Sequence, residues 1–572
     1  MTTGDAPNPR PQPAPTEPAG HQTSIKETLT SLIIAFSLAF VFRGFVVEAF
    51  VIPTGSMAPT LLGAHMRFQN PDSGYNWPVA PWAYNDSEHM DPKAVQGHPG
   101  EGSEIIVHDP LTKQQLRRTG VERMGGDRIF VFKYLYSIFD PQRFDVVVFK
   151  NPLNPGENFI KRLVGLPGEQ IAMIDGDVYA RPADTRPPTA TTWDEPGWQI
   201  QRKPERVQRA VWQRVFDSAF TPPGDFTPPW TPSGDGWNIK GSAAYTHAGD
   251  APASLIWDDA GWPITDRYAY NEFPRAPEGE WLDGFQPDRQ PTGGLPVPYM
   301  TAVYPVSDLR IALAIRPERA AVGFSSTIES REHVFTARYE PAGDASPARI
   351  VLTMRPTDGT PQEVAAATLD PDPFVSGTPV NFEFWHVDQT LQVWIDNTLI
   401  ASAAYDWAPA ERVRRSFGHS IADLISREGR GRSSVFSDST IYRGPKVRID
   451  FQPGSFTLHR VALDRDLFYQ PHQRQPAIDP PAGSHPAFTK NLNPDQFFCC
   501  GDNSPESYDC RLWDRVDPWV AAQIDPTPGV VPRDLLIGKA FVVYFPSVQQ
   551  RRLPVLNVAL PVPDFGRMRF IF

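Results

Sequence analysis

Phe50-Val51-Ile52-Pro53-Thr54-Gly55-Ser56-Met57-Ala58-Pro59-Thr60-Leu61 follows directly on the one long apolar run of a 572-residue chain. A serine between Gly and Met, just past a hydrophobic segment, reads as a nucleophile held at a bilayer surface. A second stretch lies a hundred residues on: Phe159-Ile160-Lys161-Arg162-Leu163-Val164-Gly165-Leu166-Pro167-Gly168-Glu169. A serine hydroxyl is a poor nucleophile until a base takes its proton. Lysine can be that base only when neutral, so its reference pKa of about 10.4 must fall by several units. Desolvation among apolar neighbours does this. Strand alternation puts Lys161 on the face of Phe159 and Leu163, which would supply the dry wall. Taken alone, Lys161-Arg162 reads as an ordinary basic pair on an exposed strand.

The composition narrows the function classes. Pro makes up 63 of 572 residues, about 11% against a usual ~5%, which favours turns and edge strands over long helices. A net charge of −12 argues against a nucleic-acid partner, since phosphate binding needs a basic surface. The three cysteines, Cys499, Cys500 and Cys510, are too few for a disulfide-stapled domain and read as buried thiols. The 12 histidines are scattered without metal spacing, so no metal and no cofactor are expected.

Residues 1–26 read as a disordered cytoplasmic tail, rich in Pro, Thr and Ala. Leu29 to Phe42 carries no charged residue. Extended from Thr28 through Val47, at the cost of Arg43, it reaches the ~20 residues that span a bilayer, which places the span at 27–47. A transmembrane helix is expected there. A cleaved signal peptide ending near Ser37-Leu38-Ala39 and a buried soluble helix are the competing readings.

Further along, the style is all-β. Gly126–Lys133 reads as a turn followed by a strand, and Arg143–Lys150 and Phe159–Val164 read as further strands. Asp175-Gly176 joins Gln170–Ile174 to Asp177–Ala180 as a hairpin. Gln69 to Met124 reads as loop-rich, and 181–240 as a linker with short strands. Strands then recur at sandwich spacing, among them Asp308–Ile315, Ala320–Ser326, His333–Tyr339, Val380–Val387 and Ser455–Leu463. Asn381 to Thr398 alternates through turns at Asp388-Gln389 and Asp396-Asn397, and is similar to the central hairpins of laminin-G and concanavalin-like jelly rolls. After the sandwich, Phe497–Cys500 reads as a buried strand running into Gly501-Asp502-Asn503-Ser504-Pro505-Glu506-Ser507-Tyr508-Asp509-Cys510-Arg511, and Gly538–Phe545 as a closing strand.

These motifs, in this order, resemble the type I signal peptidase family of bacteria, membrane serine proteases that remove signal peptides from exported proteins. Pro53–Leu61 matches the family's serine motif, with Thr54 in place of Ser. Lys161–Glu169 matches its lysine motif, Gly501–Arg511 its Gly-Asp-Asn box, and Arg143–Phe149 its Arg-Gly-Asp-Val strand box. Two further departures are Phe144 for the usual Gly and Cys510 for the usual Ser. The matched stretches, Thr28–Leu61, Gly126–Ala180 and Phe497–Tyr544, cover about a quarter of the chain.

The resemblance implies a mainly β fold: a transmembrane helix, then a catalytic domain in two parts (48–184 and 485–572) interrupted by a jelly-roll-like β-sandwich insertion (207–470). It implies Ser56 as nucleophile and Lys161 as general base, with an oxyanion hole from the Ser56 amide and the Thr54 hydroxyl. Ser507 would hydrogen-bond and aim Lys161, Asp509 and Arg511 would pair, and Asp502 and Asp145 would be structural. Phe50, Ile52, Pro53, Leu61, Val148 and Ile160 would wall shallow pockets for a small-x-small sequence; plain core is the competing reading. An extended substrate would pair with the strand around Phe50–Pro53. The implied partners are signal peptides of preproteins and the lipid bilayer, with a glycan or protein as a further ligand of the insertion. The implied location is the cytoplasmic membrane, single-pass, with the N-terminus cytoplasmic and the catalytic domain outside. The alternative function is a membrane-anchored binding protein that acts through its sandwich on an inactive protease scaffold.

Overall fold

The Arg143–Lys150 segment shows how this sequence builds its main sheet. Val146, Val147, Val148 and Phe149 are β-branched or aromatic, suited to a pleated, buried surface, and form the buried strand Val146–Asn151 in the computed structural model. The structure describes residues 25–45, 47–80, 104–119, 121, 123–239, 241–271, 303–344, 346–375, 377–428, 434–471, 480–547, 549–552 and 559–572. Most of the expected N-terminal tail, and the middle of the loop-rich stretch between Gln69 and Met124, lie outside these residues.

The main sheet runs in the order Val47–Val51, Arg128–Lys133, Leu536–Phe545, Val146–Asn151, Asn154–Gly165, Gln496–Cys500, Val531–Pro532, with Arg569–Phe570 paired to Leu536–Phe545. Val147 lies opposite Lys161 and Val148 opposite Ile160. Cys499 lies opposite Leu163 and Cys500 opposite Arg162. The first and last thirds of the chain thus share one sheet. A smaller sheet orders Gln199–Ile200, Asp177–Pro182, Glu169–Ile174 and Lys490–Asn491.

Between them sits the sandwich. One sheet holds Phe456–Arg465, Leu309–Pro317, Val380–Val387 and Thr390–Ile395 side by side; the other holds Lys446–Phe451, Phe324–Ser330, His333–Glu340 and Ala348–Pro356. Alternate residues of both, such as Leu309, Ile311, Leu313, Phe324, Ile328 and Phe335, meet in one buried core, the arrangement of two aligned sheets. Ala49–Phe572 forms one compact unit.

Several expectations need correction. The helix covers Ile25–Phe45, and a strand has begun by Val47. Among the described residues no helix is long and apolar enough to cross a membrane, so the transmembrane span expected at 27–47 is not met. The presumed linker contains the helix Glu205–Val211 and the strand Gln213–Asp217, which pairs with Phe456–Arg465. The loop-rich stretch holds the strands Asn76–Val79, Glu104–His108 and Gln115–Thr119. Phe144, in place of the usual Gly, takes φ 70 with its side chain buried. That left-handed conformation costs a non-glycine residue about 1–2 kcal/mol, offset here by burial of the ring.

Candidate active site

Ser56 lies in a tight turn after the edge strand, where the Ala58 amide donates to the Gly55 carbonyl and the Leu61 amide to that of Met57. Asp127 staples this loop to the sheet. The Ile52 amide donates to its carbonyl, and the Leu62 amide donates to its carboxylate at 2.9 Å. Lys161 projects from the strand Asn154–Gly165 and its Nζ donates to Ser56 Oγ at 2.6 Å. Both are almost fully removed from water, 4% exposed for Lys161 and 6% for Ser56. The ammonium lies 5.4 Å from the Phe159 ring centre, on the face that alternation assigns. Burial is the main cause that lowers the Lys161 pKa to about 8; Asp509 opposes it, and Arg511 adds to it.

The Gly-Asp-Asn box wraps behind this pair. Arg511 grips Asp509 with two bonds of 2.9 Å, from Nε and Nη2. The Gly501 amide also donates to Asp509, at 2.9 Å. A Cβ at position 501 would fall 2.4 Å from the Ser56 carbonyl oxygen and 2.2 Å from Ser507 Oγ, so only glycine fits. Ser507 donates its hydroxyl to Asp509 Oδ2 at 2.7 Å; among the described residues no hydrogen bond joins it to Lys161. Asp502 takes a two-pronged bond from Arg162, 2.7 Å at each oxygen, and a third from the Thr60 hydroxyl at 2.6 Å. Asp145 stands away from the pair and accepts from Lys539, Tyr136 and the Gln142 amide. Cys499, Cys500 and Cys510 are free, buried thiols, and the Cys499 amide donates to Cys510 Sγ at 3.2 Å.

The expected pocket residues divide. Ile52, Leu61, Val148 and Ile160 are buried in one apolar cluster, with Phe50 partly buried against it. Pro53 is exposed. Ile52, Leu61 and Val148 are therefore core side chains here, and Phe50 and Pro53 are the ones that reach solvent. Val47–Val51 closes one end of the main sheet, which leaves a strand edge beside the serine. Thr54 is half-buried next to it. Among the described residues, neither its hydroxyl nor the Ser56 amide is engaged by another group.

Sequence reasoning missed Tyr268 and Asn271. The Tyr268 hydroxyl donates to the Asp502 carbonyl at 2.7 Å, and Asn271 exchanges two side-chain bonds of 2.8 Å with Asn503. They sit in an irregular stretch between sandwich strands, where no periodicity or motif marks them.

Among the described residues, Asp177, Asp308, Asp388 and Asp466 are the side chains whose oxygens lie close enough to hold a metal, within 4.8 Å of one another. Cations already fill this cluster: Lys203 bridges Asp388 at 2.6 Å and Asp466 at 2.7 Å, Arg331 meets Asp308 at 2.5 Å, and Arg412 meets Asp177 at 2.5 Å.

A buried lysine with a lowered pKa thus meets a serine beside the edge strand of an antiparallel sheet. Residues 122–208 match the family model described as signal peptidase, peptidase S26. That segment holds Lys161; Ser56 and the Gly-Asp-Asn box lie outside it. Signal peptidase I of Rickettsia typhi is 26% identical over 156 residues, covering 27% of this chain and 43% of the relative. That of Pseudomonas aeruginosa is 28% identical over 162 residues, covering 28% and 39%. The chain thus spans about two fifths of the length of these relatives. Among solved structures, a carbohydrate-binding module of Bacillus subtilis aligns with 42% of this chain and 99% of its own, at 8% identity and a TM-score of 0.22.

Proposed function

We propose that this protein is a serine endopeptidase that removes N-terminal signal peptides from exported preproteins after small-x-small sites. The observation that carries this reading is the 2.6 Å contact between Ser56 Oγ and a desolvated Lys161. Neutral Lys161 takes the Ser56 proton as Oγ attacks the scissile carbonyl carbon. The oxyanion forms between the Ser56 amide and the Thr54 hydroxyl. Collapse breaks the C–N bond, and the Lys161 ammonium returns its proton to the leaving amine. Lys161 then deprotonates a water that hydrolyses the acyl ester, which restores Ser56. Asp509 and Arg511 hold the box behind the pair, and Ser507 acts through Asp509.

The substrate lies as an added strand along the edge Val47–Val51, with its small side chains toward Phe50, Pro53 and Ile160. The catalytic part consists of 48–184 and 485–572, and 207–470 is an insertion. The helix Ile25–Phe45 attaches the chain to lipid: Leu29, Leu32, Ile33, Ile34, Phe36 and Leu38 are all exposed, which suits an apolar surrounding better than water. Exported precursors emerge on the extracytoplasmic face, so the Ser56 site works there.

An inactive scaffold that serves only to carry the sandwich finds no support in a serine and lysine already in contact. The test is cleavage of an exported precursor by the wild type, Ser56→Ala and Lys161→Ala. Loss in both variants, with unchanged thermal unfolding, is expected. Retained cleavage in either removes that residue from the mechanism.

A further inference from the structure

The insertion reaches the nucleophile through one short segment. Tyr268, Tyr270 and Asn271 belong to the expected 207–470 insertion, and the chain just before them is tied to the stretch that leads into the strand Leu309–Pro317: the Asp266 amide donates to the Tyr304 carbonyl and the Val306 amide to that of Ile264. From there the segment lies against the catalytic turn. Tyr270 fills the space over Gly55, where a Cβ would fall 2.2 Å from its ring, and its hydroxyl donates to the Ala64 carbonyl at 3.0 Å. Where the insertion returns, the Gln470 amide donates to Ser504 Oγ at 2.8 Å, and Arg511 donates to the Gln470 carbonyl at 3.3 Å. The Gly-Asp-Asn box is held from two places in the insertion, the Tyr268–Asn271 segment and Gln470.

Asn503 is the link to the serine. Its backbone amide donates to the Ser56 carbonyl at 3.0 Å, and its Nδ2 donates to the Gly55 carbonyl at 2.9 Å. The Gly55 carbonyl and the Ser56 N–H belong to the same planar peptide, so fixing one direction fixes the other. Asn503 therefore aims the proposed oxyanion donor and also pins the peptide on the other side of Ser56. An asparagine amide turns easily about its last torsion. Here Asn271 stops it: Asn271 Nδ2 donates to Asn503 Oδ1 and Asn503 Nδ2 donates to Asn271 Oδ1, each at 2.8 Å. Tyr268 holds the preceding carbonyl, that of Asp502.

We infer that Asn271, supported by Tyr268, is a positioning residue that the insertion supplies to the active site, acting through Asn503 on the Ser56 turn. The sandwich then forms part of the enzyme's working frame, and the chain needs it for full turnover. This inference rests on Ser56 being the nucleophile.

The test compares the full-length wild type with Asn271→Ala, Asn503→Ala, the double variant, Asn271→Asp and Tyr268→Phe. Two rates are measured. One is precursor cleavage, split into kcat and KM. The other is the burst of Ser56 acylation by p-nitrophenyl acetate, in which the Ser56 Oγ–acetyl bond forms, p-nitrophenolate leaves and Lys161 takes the proton. Asn271→Ala is expected to lower kcat and the burst by about tenfold to a hundredfold, the scale of a misplaced reacting group, with KM within twofold and thermal unfolding unchanged. Asn271→Asp, which keeps the acceptor for Asn503 Nδ2, should fall between. The double variant should be no slower than Asn503→Ala. Wild-type kcat in folded Asn271→Ala, or losses that multiply in the double variant, would overturn the inference. If Asn271→Ala does not fold, Tyr268→Phe removes a single hydroxyl and decides the matter by the same two rates. A wild type that acylates but does not cut precursor would remove the preprotein reading and leave the burst to test the positioning role. A wild type that does neither overturns both.

Discussion

Lys161 owes its chemistry to where it is buried. Desolvation brings its pKa to about 8 against the pull of Asp509. Only the neutral amine accepts the serine proton, so kcat/KM should rise with pH through about 8 and level off above it, as measured by precursor cleavage. Asp509→Asn removes the charge that favours the ammonium, so the rising limb should move to lower pH; a limb that stays or moves up would contradict the assignment. Thr54→Val removes one oxyanion donor at nearly constant volume and should cost about 10²–10³ in kcat, whereas Thr54→Ser should keep most of it. The contact between Ser56 and Lys161 was legible because each residue sits in a motif that marks it out from its surroundings. Ser507 was legible as a member of its box but not in its bonding, since the choice between Lys161 and Asp509 depends on angles that spacing does not encode. Phe144 was visible as a departure; that it would accept a left-handed backbone was not.

At the scale of elements, turn chemistry was the most readable feature. Asp175-Gly176, Asp388-Gln389 and Asp396-Asn397 all have positive φ at both central residues, the requirement of tight hairpins between twisted strands. Val380–Val387 was found with its bounds intact, because its alternating apolar residues face one core. The Tyr268–Asn271 segment was invisible: its side chains bond across more than 200 positions to a box with no matching pattern. So was the ionic clasp between the Asp175-Gly176 hairpin and the sandwich, where Arg412, from the helix Pro409–Phe417, meets Asp175 at 3.0 Å and Asp177 at 2.5 Å. All three side chains are buried, and removal of one partner leaves charge without compensation. Arg412→Ala should therefore cost about 3–5 kcal/mol, read as a lower urea midpoint. A loss below about 1 kcal/mol would mean that water or a neighbour takes over.

At the scale of the molecule, the chain runs through the main sheet, out into the sandwich and back into the same sheet, which is how residues 56, 161 and 501–511 come together. Membrane attachment belongs to this scale as well. The full chain should float with lipid vesicles, and a chain beginning at Ala49 should float far less; equal flotation would move the lipid contact to the catalytic unit. The central claim is that Ser56 and Lys161 form a peptidase. The most direct test is cleavage of a short-tailed precursor in detergent by the wild type and Lys161→Ala, each from pH 6 to 10. Cleavage by the wild type alone, rising through about pH 8, is the expected result. Equal cleavage by a folded Lys161→Ala, or none by the wild type at any pH, would contradict it.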